Sequence, residues 1–139
     1  MAKFDFSRKP VEVPQVKTQF RCIQTALPVP ESLDVFEQLE RLESRSMHGQ
    51  MPIIWDRAKN FQIFDKWGNC WIDFTSTIFV ANAGHANDAI SESLKNMLDK
   101  ELLHTYTYAS DIRTEFLNKL IDQTPNELEK AYLVSTGTE

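Results

Sequence analysis

The sequence has little that would mark a metal site, a disulfide framework or a redox motif. Its 139 residues include two cysteines and three histidines. Cys22 and Cys70 form no C-x-x-C pair, and the histidines are widely spaced. No metal site is therefore expected, and two structural thiols suit a reducing cytoplasm.

Long apolar runs and an excess of positive charge are also missing. No segment approaches the length of a membrane span, and the N-terminus lacks the apolar core of a secretory signal. The net charge of −5 argues against nucleic acid or an anionic membrane as the main partner. With 42% hydrophobic residues, the composition is that of a soluble globular protein, and the two cysteines with no secretory signal lead us to expect a cytoplasmic location.

The first third of the chain predicts an arm and a helix. Residues 1–18 mix charges with Pro10 and Pro14 without periodicity, which predicts a flexible arm or one that orders against another surface. Ser32 to Ser44 has the apolar spacing of an amphipathic helix. Its apolar face comprises Leu33, Phe36, Leu39 and Leu42.

The middle of the chain predicts a β-hairpin followed by two helices. The strand-like runs 61–65 and 70–74 flank a turn that contains Gly68 and Asn69. Helices are expected over 86–103 and after Ser110, which suits an N-cap. Their apolar faces comprise Ala89, Ile90, Leu94, Met97 and Leu98 in the first, and Ile112, Phe116, Leu117, Leu120 and Ile121 in the second. His85 precedes the first of these helices, and a capping or hydrogen-bonding role is expected for it.

The last ten residues predict a buried strand that leads into a small, hydroxyl-rich loop. Residues 131–134 are apolar, and residues 135–138 read Ser-Thr-Gly-Thr. Such a loop can cradle a phosphate, because glycine permits close backbone approach while hydroxyl and N–H groups donate. The same residues also form ordinary turns, so the loop alone leaves both interpretations open.

Several segments together resemble the N-terminal part of class-III pyridoxal-phosphate-dependent aminotransferases. The hairpin residues 65–74 match a D-x-x-G-x-x-W-I-D-F block, and residues 75–85 match the stretch after it that ends in N-x-G-H. His104-Thr105 and Thr136-Gly-Thr-Glu139 match two later motifs, the second with Thr136 in place of the usual Ser.

This resemblance implies the α/β architecture of fold type I pyridoxal-phosphate enzymes, of which the chain supplies an N-terminal segment. The segment would hold the arm, a helix, the hairpin, further helices and the first strand of the large-domain sheet. The implied division is an arm over 1–18, a small-domain segment over 19–85 and the start of the cofactor-binding large domain over 86–139.

The resemblance also implies the site residues. Gly137 and Thr138 would hold the phosphate of pyridoxal 5'-phosphate through backbone N–H groups and the Thr138 hydroxyl, with Thr136 beside them. Ile78 would line the substrate pocket, where an aliphatic side chain is similar to the 4-aminobutyrate-type enzymes. No catalytic residue is expected here, because the family's Schiff-base lysine would lie beyond the end of this chain.

The implied activity is transfer of an amino group from an ω-amino acid, such as a 4-aminobutyrate-like donor, or an α-amino acid to a 2-oxo acid. The family resemblance further implies a homodimer. The alternative is a non-catalytic fragment that acts as a dimerisation or interaction module, and this chain by itself is expected to be inactive.

Overall fold

The computed structural model describes residues 6–47, 49–105 and 107–137. The chain divides into two compact units, Met1–Glu92 and Ser93–Glu139. Helix and sheet are mixed, consistent with the predicted α/β class, while the three-segment division stays a prediction. None of the helices in the described part of the chain is long and apolar enough to cross a membrane.

The first unit contains a five-stranded antiparallel sheet in the order β1-β2-β5-β4-β3. Its strands are β1 (Val16–Lys17), β2 (Cys22–Ile23), β3 (Arg57–Lys59), β4 (Gln62–Phe64) and β5 (Cys70–Ile72). Strands β4 and β5 form the predicted hairpin, with Ile63 opposite Trp71. The hairpin prediction is therefore confirmed.

The hairpin turn is held by the side chain of Asp65. Its Oδ1 accepts hydrogen bonds from the backbone N–H groups of Trp67, at 2.9 Å, and Asn69, at 2.8 Å. Gly68 has a φ of +88°, a left-handed conformation that glycine adopts at little cost. The loop therefore spans residues 66–68, with Gly68 in its left-handed position, and the Asn69 carbonyl accepts from the Asp65 N–H at 3.2 Å beyond the turn instead of Asn69 forming a two-residue turn with Gly68.

Part of the predicted arm is paired with the rest of the chain. Strand β1 pairs with β2, and Val11 forms an isolated bridge with Leu27. Arg8 also contacts the first helix, where its Nη1 lies 2.6 Å from Oε2 of Glu40. These residues of the 1–18 segment are therefore ordered against their own chain.

The described chain has four α-helices, the first between β2 and β3 and the other three after β5. They are α1 (Leu33–Leu42), α2 (Ser76–Phe79), α3 (Asp88–Asp99) and α4 (Asp111–Ile121). Helix α1 follows a 3-10 turn over Pro30–Ser32, and α2 is a single turn. The three predicted helices are confirmed, with α3 shorter than the predicted 86–103.

Helix α3 begins two residues later than predicted, whereas α4 begins at Asp111, directly after the predicted N-cap position Ser110. Asn87 caps α3, since its Oδ1 accepts from the N–H groups of Ala89, at 3.0 Å, and Ile90, at 3.2 Å. The predicted side-chain cap at Ser110 is wrong. Its Oγ makes no capping hydrogen bond and is buried without a partner among the described residues.

The apolar core of the first unit consists of residues in and beside its sheet. Its buried hydrophobic residues are Ile23, Val29, Ile63 and Cys70. Helices α1, α3 and α4 contain no buried residue, and their apolar faces are half-exposed. Helical periodicity in the sequence identifies the apolar face of a helix. That face is buried only where a second surface packs against it.

The predicted strand over residues 131–134 is wrong. These residues have no regular secondary structure, and Tyr132 is 91% exposed. A β-strand is defined by hydrogen bonds to a neighbouring strand. None of the five strands in the described residues pairs with this segment. An apolar run therefore did not suffice to form the first strand of a parallel sheet.

Candidate functional site

The predicted phosphate loop is open in this structure. Thr136 and Gly137 are exposed, and Thr138 lies outside the described residues. A Cβ atom added at Gly137 would meet no atom within 4 Å. The described part of the loop therefore does not form an enclosed cradle by itself.

The donor groups of this loop nevertheless suit a phosphate. The Thr136 hydroxyl and the Gly137 N–H are neutral hydrogen-bond donors of the type that binds phosphate oxygens. The open space beside Gly137 leaves room for an anion to approach the backbone. The residues present fit the phosphate end of a cofactor in donor chemistry, while its ring has no identified partner among the described residues.

Ile78, the predicted substrate-lining residue, belongs to the first unit and lies in α2. It is 81% exposed, and its φ of 57° is left-handed. Phe74, Phe79 and Val80 are also strongly exposed, so they form an apolar surface around Ile78. The side chain is available to contact a ligand, and the substrate role itself stays a prediction.

A polar pair anchors this apolar segment at both ends. The Oδ2 atom of Asp73, just after β5, lies 2.7 Å from Nε2 of His85. Their side chains are only 3% and 12% exposed. The ring of Trp55 packs edge-on against the imidazole, with ring centroids 5.6 Å apart. The hydrogen-bonding role expected for His85 is confirmed.

The second carboxylate oxygen of Asp73 organises the turn into α2. Oδ1 accepts from the Thr75 backbone N–H at 2.8 Å, the Thr75 hydroxyl at 2.7 Å and the Ser76 N–H at 3.1 Å. Sequence reasoning assigned Asp73 to the family motif without this role. The sequence did contain a signal for this role, the run D-F-T-S that begins at Asp73. An Asp side chain that can accept from the N–H groups two and three residues later favours an Asx-turn.

Electrostatics favour the charged form of Asp73. Burial raises the pKa of this carboxyl, but hydrogen bonds from Thr75 and His85, together with attraction to His85, outweigh burial and lower the pKa to about 2. Asp73 is therefore ionised at neutral pH and can only accept hydrogen bonds. It follows that Nε2 of His85 carries the hydrogen that is shared with Asp73.

His85 also joins the segment to the sheet through its backbone. The N–H and C=O groups of His85 and Asn60 exchange two hydrogen bonds, each of 2.7 Å. A small cleft of about 310 Å³ lies beside them, bordered by Phe61, Ser76 and residues 81–85. The pair and the bridge together fix both ends of residues 74–84, which include Ile78.

The family assignment is decided by comparison with known proteins. The family model described as aminotransferase class-III matches residues 44–139, which include the Asp73–His85 pair, Ile78 and the terminal loop. The chain belongs to the class-III aminotransferases.

Individual relatives are named as transaminases or aminotransferases, in agreement with this assignment. The chain is 32% identical over 91 residues to a diaminobutyrate–2-oxoglutarate transaminase of Halalkalibacterium halodurans, covering 65% of this chain and 21% of the relative. It is 34% identical over 77 residues to a [LysW]-aminoadipate semialdehyde/glutamate semialdehyde transaminase of Sulfolobus acidocaldarius, covering 55% and 20%. It is 29% identical over 92 residues to an acetylornithine aminotransferase of Aquifex aeolicus, covering 66% and 24%.

This class-III chain spans about a fifth to a quarter of the length of these curated relatives. Its matched region begins just after α1 and contains the sheet strands β3 to β5 and the three later helices α2, α3 and α4. The expected enzyme family is thereby confirmed, while the site residues were assigned by motif alone.

Proposed function

We propose that this chain forms the N-terminal part of a pyridoxal-phosphate-dependent aminotransferase. The enzyme would transfer an amino group from an amino donor to a 2-oxo acid. The single observation that carries this proposal is the class-III match over residues 44–139. It covers both the apolar segment at Ile78 and the hydroxyl-rich loop at Thr136–Gly137.

The loop residues would bind the phosphate of the cofactor. The Gly137 N–H and the hydroxyls of Thr136 and Thr138 would each donate to a phosphate oxygen. When bound, pyridoxal phosphate supplies an electron sink for amino-group chemistry, and the protein supplies binding and orientation. Open space around Gly137 supports this role, since nothing in the described chain blocks the backbone there.

The Asp73–His85 pair would position the substrate-facing segment. It fixes residues 74–84 at both ends through hydrogen bonds of 2.7 to 3.1 Å. Ile78 would then offer an aliphatic surface to the carbon chain of the substrate while excluding water from it. Because Asp73 is ionised and both of its oxygens are engaged, we assign it no proton transfer.

The amino donor would be an ω-amino acid, such as a 4-aminobutyrate-like compound, or an α-amino acid. Relatives named for diaminobutyrate and for semialdehydes favour a substrate with a functional group at the end of its carbon chain. The aliphatic Ile78 is compatible with such a chain, because it contributes contact area without a charge of its own.

We further propose that the whole protein is a cytoplasmic homodimer. A cleft of about 1040 Å³ lies between α1, the 47–55 loop and the sheet, and its walls are largely apolar. Phe74 and Ile78 line it and are strongly exposed. Such surfaces also favour the second candidate, a non-catalytic interaction module, because large exposed apolar patches mark contact sites.

The activity is tested on the gene product that contains these 139 residues. It is incubated with pyridoxal phosphate, 2-oxoglutarate and a panel of ¹⁵N-labelled donors that includes 2,4-diaminobutyrate, 4-aminobutyrate and α-amino acids. Transfer of ¹⁵N into glutamate, detected by mass spectrometry, is the expected result. Failure of every donor with a cofactor-loaded protein would refute the aminotransferase. A product that neither binds cofactor nor transfers nitrogen, yet associates with itself, would support the interaction module.

A further inference from the structure

The two cysteines, 48 positions apart in sequence, face each other in the sheet. Cys22 on β2 is the direct register partner of Cys70 on β5. It is the one strand-register pair between β2 and β5 in the described chain, where side-chain hydrogen bonds such as that from the Gln24 N–H to Asn69 Oδ1 also connect the two segments. Both thiols are free in the structure.

Register fixes the geometry of the two thiols. Directly opposed residues of an antiparallel pair project from the same face, with Cα atoms about 4.5 or 5.5 Å apart. Both values fall within the range of about 4.4–6.8 Å found in disulfides. The Cβ atoms of such pairs are about 4.5–5.5 Å apart, so bond formation requires an approach of roughly 1 Å.

The two thiols differ in their exposure and in the residues around them. Cys22 is partly exposed, whereas Cys70 is only 6% exposed. Lys17 on β1 is the register partner of Cys22 on its other side, so a cationic residue shares its face of the sheet. The Cys70 sulfur accepts a hydrogen bond from Nε2 of Gln62 at 3.2 Å, and its S–H points to the Phe20 carbonyl at 3.5 Å.

We propose that Cys22 and Cys70 form a reversible, peroxide-sensitive disulfide that fastens the β1–β2 segment to the hairpin. The Cys22 thiolate attacks hydrogen peroxide, whose O–O bond breaks, to give a sulfenic acid and hydroxide, which takes up a proton to become water. The Cys70 thiolate then attacks the Cys22 sulfur, and the S–O bond breaks as the S–S bond forms and a second water leaves. Two thiols lose two electrons in total and one peroxide gains them, and a thiol reductant reverses the reaction.

This bond would link the two neighbouring strands that share the fewest register pairs. Strands β2 and β5 share one residue pair, whereas β4 and β5 share three. A covalent link there closes the loop between residues 22 and 70, which restricts the unfolded chain. We therefore expect the oxidised chain to melt about 5 °C or more above the reduced chain.

The test treats the reduced 139-residue chain with hydrogen peroxide and follows disulfide formation by intact mass and non-reducing peptide mapping. The expected product is a monomer that has lost two hydrogen atoms and contains a Cys22–Cys70 linked peptide. Its formation should be at least about tenfold faster in the folded chain than in concentrated urea, because the ladder holds the thiols together. Equal rates in the two conditions, or a product linked between two chains, would overturn the proposal.

Two variants separate the roles of the thiols. In Cys70→Ser, peroxide should leave Cys22 as a sulfenic acid that dimedone traps, while the unsubstituted chain should yield little adduct. In Cys22→Ser, the buried Cys70 should react slowly. Equal dimedone labelling of Cys22 with and without Cys70 would contradict the proposal. If either variant fails to fold, the comparison of folded and urea-treated unsubstituted chain decides alone.

Discussion

The Asp73 carboxylate receives a hydrogen bond of 2.7 Å from Nε2 of His85, and the two side chains are 3% and 12% exposed. This contact joins the end of β5 to the residue that completes the N-A-G-H motif. The apolar segment between them is thereby held at both ends, although its middle residues are exposed. These two motif residues thus hold the ends of the segment that contains Ile78.

Acid should weaken the fold through Asp73. Its pKa is lowered from 3.8 to about 2 in the folded chain, so the unfolded chain binds the proton more readily. The resulting stability is fully present above pH 4 and is lost as the pH falls from about 4 to about 2. A shift of this size is worth about 2 kcal/mol of unfolding free energy.

Urea titrations at pH 7 and at pH 3 measure this effect. Asp73→Asn should lower the unfolding free energy at pH 7 and show a smaller loss between the two pH values than the unsubstituted chain. Asp56→Asn, at an exposed aspartate of the same unit, provides the matched control and should retain the full pH dependence. Identical pH dependence in Asp73→Asn and the unsubstituted chain would refute the role of Asp73.

Asn69 should be among the most sensitive positions in the first unit. It is fully buried, and its Oδ1 accepts from the Gln24 N–H at 2.9 Å. Its Nδ2 donates to Thr25 Oγ1 at 2.8 Å and to Asp65 Oδ2 at 2.7 Å. Asn69→Ala removes these bonds and leaves buried partners unsatisfied, so it should cost about 2–4 kcal/mol in chemical denaturation.

The control for this substitution is Gln38→Ala, on the exposed side of α1. It should change the unfolding free energy by less than about 0.5 kcal/mol. Should Asn69→Ala prove as mild as Gln38→Ala, the buried network would not be a stabilising feature of the hairpin.

Because the backbone of α2 is left-handed, we expect glycine to be a better replacement for Thr77 than alanine. The Thr77 φ of 56° and ψ of 48° are unfavourable for a residue with a branched Cβ. Thr77→Gly should therefore stabilise the chain by about 1 kcal/mol more than Thr77→Ala, as measured by thermal melting. In a right-handed turn the order would reverse, since alanine is then the better residue, and that order would contradict the left-handed backbone.

Local sequence patterns predicted the hairpin and the helices. The contacts that they did not predict depend on pairing between residues distant in sequence. Gly68-Asn69 between two apolar runs identified the hairpin, because its strands are neighbours in sequence. The partners of Asn69 and Cys70, at residues 22–25, are more than 40 positions away, and no local pattern indicates them. Residues 131–134 show the opposite error, since an apolar run indicated a strand for which the described sheet offers no neighbour.

For the candidate site, the sequence predicted residues but not their contacts. Motif resemblance identified Ile78, Thr136 and Gly137 as a family pattern, and the family is confirmed. The supporting contacts of Asp73 depend on the folded turn, so the sequence indicated the residue without its role. The predicted phosphate loop is open because enclosure depends on tertiary packing, which a four-residue motif does not specify.

The central claim, a pyridoxal-phosphate site at the hydroxyl-rich loop, is tested most directly by the cofactor dissociation constant of a Gly137→Val variant. The measurement uses the gene product that contains these 139 residues, with pyridoxal, which lacks the phosphate, as the matched ligand. Stability should be unchanged, because an added Cβ meets nothing within 4 Å. The valine side chain should weaken pyridoxal phosphate binding at least about tenfold, or about 1.4 kcal/mol, and leave pyridoxal binding unaltered. Equal affinity of both proteins for pyridoxal phosphate would contradict the account.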